Sequence, residues 1–310
     1  NINCRVKGGI TVKNSYIADG ALLLVAMTWG LNFVFTKNAL SNITPFMYLG
    51  IRFVIAAFFM AIFFHRKLLR ISKDDVKGGL VIGLFLSLGF ITQTVGLVYT
   101  TPSKSGFITG INVVLVPFFA YFVTKKFPGV FQLAGAVITF IGLGFISINE
   151  NLSVNIGDIL TFACAICFAL QIAFTEHYVK KGNPINIAFI QIALTGIITT
   201  LMALIFEPLP GVLHPDTINA ILFGAAVCTA GAFAIQNTAQ RYTSSSHVAV
   251  IMCTESVFAG VFSYFMWGEP ITTQMIIGFA FILVGILVTE LLPLRPKERS
   301  KGHLDINTVQ

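Results

Sequence analysis

The chain has 310 residues, of which 55% are hydrophobic and only 11% charged, with a mean hydropathy of +0.84. A soluble domain carries roughly a quarter charged residues, so this composition excludes a water-wetted globule and makes lipid the solvent. The net charge of +7 does not ask for a nucleic-acid partner, because the placement of the basic residues along the chain has a membrane explanation.

Residues 1–17 form a polar, basic cytoplasmic tail without the apolar core of a secretory signal peptide. Crossing a bilayer core takes about 20 mostly apolar residues, and such windows predict an all-α integral membrane protein of ten transmembrane helices. In chain order they are Asp19–Leu40, Pro45–Phe64, Gly78–Tyr99, Ser103–Thr124 and Val130–Ile148, then Ile156–Tyr178, Ile185–Phe206, Thr217–Tyr242, Ser246–Trp267 and Thr272–Leu292. Short turn-like pieces such as Thr101-Pro102-Ser103 and Gly182-Asn183-Pro184 join them, and residues 293–310 form a second basic tail. No loop has room for a soluble domain, so whatever the protein does it does within the membrane.

Ten spans with both termini cytoplasmic put 17 of the 20 Lys and Arg on the cytoplasmic side, including Arg5, Lys126, Lys180 and Arg295. Lys37 and Lys104 fall at the outer mouth, where they read as surface residues, and Arg52 falls within a span. Glu150, Asp158, Glu207, Asp216 and Glu269 fall on the outer loops.

The second half of the chain repeats the first. A shift of 143 aligns residues 90–142 with 233–285 without a gap and with twelve identities, among them Phe90 with Phe233, Gln93 with Gln236, and Tyr99-Thr100 with Tyr242-Thr243. The two units are 18–149 and 150–292. Five spans per unit is an odd number, so the second unit enters the membrane upside down. Inverted repeats around a midplane site characterise secondary transporters, whose halves exchange conformations to expose one site alternately.

Three local patterns resemble one family. Thr28-Trp29-Gly30-Leu31-Asn32-Phe33-Val34 with Lys37 resembles the opening helix of EamA-type members of the drug/metabolite transporter superfamily, and Arg52-Phe53 matches that family's second helix. Ala239-Gln240-Arg241-Tyr242 through Glu255-Ser256-Val257 to Trp267-Gly268-Glu269 is similar to its closing signature. Two positions depart from the pattern: Ser256 stands where Pro commonly follows the Glu, and Lys125-Lys126 lies opposite Gly268-Glu269. The resemblance implies ten helices and the export or uptake of small organic solutes, including amino acids, across a cell membrane, the bacterial inner membrane by preference.

Polar side chains that remain in hydrocarbon usually face the bundle interior. Glu255, near the middle of the ninth span, is a candidate to bind a proton or a substrate ammonium, with Asn112 as its repeat mate. Gln93, Gln236, Asn32 and Trp29 are candidate cavity-lining residues, and Gln171 and Gln191 weaker ones. Arg52 is expected to pair with Glu255, to meet an anionic substrate or to snorkel outward. Glu176 and His177 read as solvated at a span end. Pro117 frees the Val113 carbonyl, so a hinge-like kink is expected beside Asn112. Gly83, Gly89, Gly96, Gly135 and Gly142 read as close-packing faces.

Nothing here calls for a cofactor. Cys164 and Cys167 form a C-x-x-C one turn apart without two further ligands, so neither metal nor redox chemistry is expected. None of the five His joins a catalytic pattern, and no nucleotide-binding motif appears, which argues against an enzyme or an ATP-driven pump. Against a carrier of amino-acid-like metabolites stand a phosphorylated-metabolite exchanger, which would want several buried cations, and a channel or sensor. The oligomeric state is not legible.

Overall fold

The structure, a computed structural model, describes residues 12–125, 127–147 and 155–291. Lys126, Glu150 and both tails as far as Thr11 and from Leu292, with Arg5 and Arg295, lie outside them. The described residues are helical almost throughout, with no strand among them. The first unit holds α1 (Val12–Ala39), α2 (Pro45–Leu68), α3 (Lys73–Tyr99), α4 (Pro102–Gly110), α5 (Asn112–Thr124) and α6 (Val130–Ser147). The second holds α7 (Ile156–Val179), α8 (Pro184–Phe206), α9 (Pro215–Ala225), a π-helical segment (Ala226–Gly231), α10 (Ala232–Gln240), α11 (Ser245–Met252), α12 (Thr254–Trp267) and α13 (Thr273–Leu291).

Local chemistry sets the helix starts. Proline opens α2, α4, α8 and α9, where its missing N–H would have had no helical partner. Ser72 with Asp75, and Asn155 with Asp158, close reciprocal capping boxes at α3 and α7. Two acids also cap a neighbouring helix, as the macrodipole favours. Glu207 accepts from the Phe46 and Met47 N–H groups at 3.0 and 2.7 Å, and Asp75 from that of Asn183 at 2.7 Å.

Among the described residues, eight continuous or interrupted helices are long and apolar enough to cross a membrane, and Val130–Phe145 and Thr273–Thr289 are shorter apolar helices. This is a multi-pass membrane protein. Three of the expected spans are not the single regular helices that periodicity suggests. The fourth and ninth break at Ile111 and Cys253, where tight i to i+3 hydrogen bonds replace the α pattern. The eighth carries the π-helical segment. Pro117 does lie inside α5, yet the break falls ahead of it, and the same break occurs in the second unit where the matching residue is Gly260. Proline is therefore not its sole cause. The two breaks pack on one another: the Ser256 hydroxyl donates to the Gly106 carbonyl at 2.8 Å and the Cys253 thiol to that of Gly110 at 3.5 Å.

Helix α3 packs on α7 and α8, α2 on α8 and α9, α1 on α12, α5 and α4 on α7, and α6 on α13, while α9 and α10 pack on α1. Exchanging the first five segments for the last five maps each of these pairings onto another in the set or onto itself. Both α5 and α12 end in a left-handed residue at positions 143 apart, Lys125 (φ 57) and Gly268 (φ 70). Small residues permit the close contacts, as is usual between membrane helices. A Cβ on Gly142 would sit 2.7 Å from the Gly278 carbonyl oxygen, one on Gly96 2.9 Å from that of Gly157, and one on Gly83 2.9 Å from the Gln191 Cα.

Candidate functional site

Trp29, Asn32 and Thr36 share one face of α1, at spacings of three and four residues. Across from them runs α12, which approaches closely because Gly30 has no side chain: a Cβ there would lie 2.8 Å from the Ala259 nitrogen and 2.9 Å from the Glu255 carbonyl oxygen. This contact, the start of α5 and the inward faces of α2, α3, α7 and α10 enclose a small cavity of about 40 Å³. That is well below the usual range for small-molecule sites, so the walls stand nearly closed in this conformation and must part to admit a substrate. Trp29, Asn32, Arg52, Gln93, Asn112, Gln236 and Glu255 all line it, as does Gln171. Gln191 does not; it is buried and bonds Asn237 at 3.4 Å.

The apolar wall is an aromatic chain. Phe90 and Phe233, matched by the 143-residue shift, meet at 6.1 Å between ring centroids, with Phe168 against Phe90 at 5.2 Å and Trp29 against Phe233 at 5.3 Å. The Trp29 indole N–H donates to the Cys228 carbonyl at 2.8 Å, within the π-helical segment. Such a segment leaves backbone groups off the regular ladder and is common at functional sites.

Arg52 does not snorkel, being only 2% exposed, and no ion pair joins it to Glu255 among the described residues. Its Nε donates to Thr229 Oγ1 at 2.9 Å, and its guanidinium lies 5.2 Å from the centre of the Phe90 ring. The π-helical turn presents that hydroxyl, and the aromatic face adds a cation–π contact. The Glu255 carboxylate is half-buried on the cavity wall, and no hydrogen bond or ion pair engages it among the described residues.

The amides differ in their state. Asn32 and Gln171 each donate to the threonine four residues on, Thr36 and Thr175, at 3.2 Å. Gln93 donates to Thr109 Oγ1 at 3.1 Å, but both polar atoms of Gln236 are buried without a partner. The residue matching Thr109 in the second unit is Met252, which cannot supply the bond.

The EamA-like transporter family profile matches residues 17–148 and again 155–291. The chain belongs to that family. An uncharacterized transporter of Archaeoglobus fulgidus is 36% identical over 284 residues, spanning 92% of this chain and 89% of that protein. A probable amino-acid metabolite efflux pump of Escherichia coli K12 is 26% identical over 294 residues, spanning 87% and 94%. One solved crystal structure shares the fold with a TM-score of 0.72 at 17% identity, covering 90% of this chain and 97% of its own. As an EamA-family member the protein is a transporter of a small molecule, not an enzyme.

Within this EamA protein several polar residues sit differently from their sequence reading. Glu176, read as solvated, is buried and accepts from the Ser245 N–H at 2.8 Å and from Lys180, because α7 ends against the start of α11. His177 is half-buried beside Lys181. Lys37 and Lys104 are not simple surface residues. Lys37 bonds the Leu97, Val98 and Thr100 carbonyls at the end of α3, satisfying helix-terminal acceptors. Lys104 is ion-paired with Asp158 at 3.0 Å. Thr229, Phe168 and Met252 escaped the sequence reading altogether. Phe90 and Phe233 were visible there as a repeat pair, which is the signal that could have marked them as wall residues.

Proposed function

We propose that this protein exports amino acids or chemically similar small metabolites across the cell membrane by alternating access, as two inverted five-helix units of ten spans with both termini in the cytoplasm. The observation that carries the reading is the buried cavity between the units, which offers an unengaged carboxylate at Glu255 and a guanidinium at Arg52, with amides and an aromatic wall. A zwitterion supplies the complement to both charges. Arg52 is the one cation lining the cavity among the described residues, enough for a carboxylate and poor provision for a phosphate dianion. The exchange of packing partners between the two halves supports the repeat, and the efflux pumps among the relatives support the direction.

Glu255 takes a proton or a substrate ammonium in turn, since an unpaired carboxylate in a low-dielectric cavity is costly. Counterflow of an amino-acid panel in proteoliposomes with an imposed pH gradient tests this. Saturable counterflow is expected, with its gradient response lost in Glu255→Gln together with about a tenfold or greater fall in kcat/KM, the scale of a charge-assisted hydrogen bond. No counterflow across the panel overturns the amino-acid reading, and an unaltered gradient response in the variant overturns the role of Glu255.

A further inference from the structure

Two inter-helix polar ties, a Lys–Asp ion pair and a His–Asp contact, lie near opposite ends of the bundle. At one end Lys104 of α4 meets Asp158 of α7 at 3.0 Å; at the other His247 of α11 meets Asp19 of α1 at 2.9 Å. Lys104 and His247 are 143 positions apart, the shift that relates the units, and each is the third residue of its helix. Each also donates its backbone N–H to the residue capping that helix, Thr101 Oγ1 at 3.3 Å and Ser244 Oγ at 3.4 Å. Asp158 and Asp19 likewise hold corresponding places in α7 and α1: Thr175 and Thr36, each accepting from the amide four residues before it, are spaced identically from them. The two ties are thus one arrangement built twice.

Each pair joins one unit to the other. Lys104 belongs to the first unit and Asp158 to the second, whereas His247 belongs to the second and Asp19 to the first. The helices they tie, α4 with α7 and α11 with α1, continue directly into the cavity walls that carry Asn112, Gln171, Glu255 and Asn32. All four side chains are largely shielded, at 9 to 16% exposed, so water screens the pairs less than at an open surface.

We propose that Lys104–Asp158 and His247–Asp19 are the two closures of the transport cycle, the first sealing the cavity from the outer face and the second from the cytoplasmic face. This rests on the alternating-access reading above. The four residues position the units and do not touch the substrate. With both pairs formed, the conformation described here has both ends latched, and release of one latch at a time admits substrate from one side.

The two tryptophans, Trp29 and Trp267, provide the test. Trp267→Phe leaves Trp29 as the sole indole, in the cavity wall. Its quenching by iodide is measured in proteoliposomes of known orientation, with iodide on one face only. Lys104→Gln breaks the outer pair while leaving the capping carboxylate of Asp158 in place, and should raise quenching from the outer face by about two- to fivefold, the range for breaking a modest ion pair. His247→Gln should do the same from the cytoplasmic face and lower it from the outer one. Lys104→Arg and His247→Lys should behave as the parent. General loosening of the fold would raise quenching from both faces in both variants, so shifts of the same sign overturn the proposal, as does no shift in either. Substrate counterflow by the Trp267→Phe parent is recorded alongside. Its absence speaks against the carrier reading itself, whereas its presence with unshifted quenching speaks against the latches alone.

Discussion

Gln93 and Gln236 occupy matching places in the two units, yet only the first has a partner for its amide. Thr109 serves Gln93, and Met252 replaces that hydroxyl opposite Gln236. A buried amide left without partners costs about 1–3 kcal/mol, a cost that a ligand bearing both a donor and an acceptor would relieve. Gln236→Leu should therefore leave thermal stability unchanged or raised while weakening substrate affinity about tenfold. Thermal unfolding in detergent, read beside KM for counterflow, checks both halves of that statement; a variant that unfolds earlier with normal KM would make Gln236 a packing residue. The same contrast appears in charge, because the mate of Glu255 is the neutral Asn112 and no second carboxylate lines the cavity among the described residues.

At the scale of elements, interruption rather than regularity marks the working parts. The breaks at Ile111 and Cys253 pack together, and the π-helical segment presents Thr229 to Arg52 and the Cys228 carbonyl to Trp29. Non-helical backbone within a membrane protein persists where it is buried in protein and its polar groups are met. The end of α5 shows a local conflict. Lys125 takes the left-handed conformation that Gly268 supplies at the matching position, and a residue with a Cβ is strained there by about 1–2 kcal/mol. Lys125→Gly should raise stability by about 1 kcal/mol, seen as a higher unfolding temperature in detergent. An unchanged or lower temperature would show that the lysine side chain, which lies over the Phe122 ring, compensates the backbone.

For the whole molecule, the proposed orientation puts the α2–α3 turn in the cytoplasm and the α8–α9 loop outside. In a background with the native cysteines replaced, Gly211→Cys should react with an impermeant maleimide in intact cells, and Ile71→Cys only after lysis. The reverse result would invert the molecule and exchange the faces assigned to the two latches. Membrane embedding, an all-helical fold and the family were legible in the sequence, because the bilayer acts on each segment separately and makes its demand in local composition. Several cavity residues were legible too, since charge or amide within an apolar run is conspicuous wherever the run packs. What only the tertiary structure decided was how these groups meet. Gln171 and Gln191 look alike along the chain, yet one lines the cavity and the other bonds Asn237. Glu176 and Lys104 look like span-end charges, yet each is committed to a partner on another helix or to its own turn and neighbour together. The ties from Asp19 to His247 and from Lys104 to Asp158 link residues far apart in sequence, and their pairing follows from the rotation of packed helices rather than from local pattern.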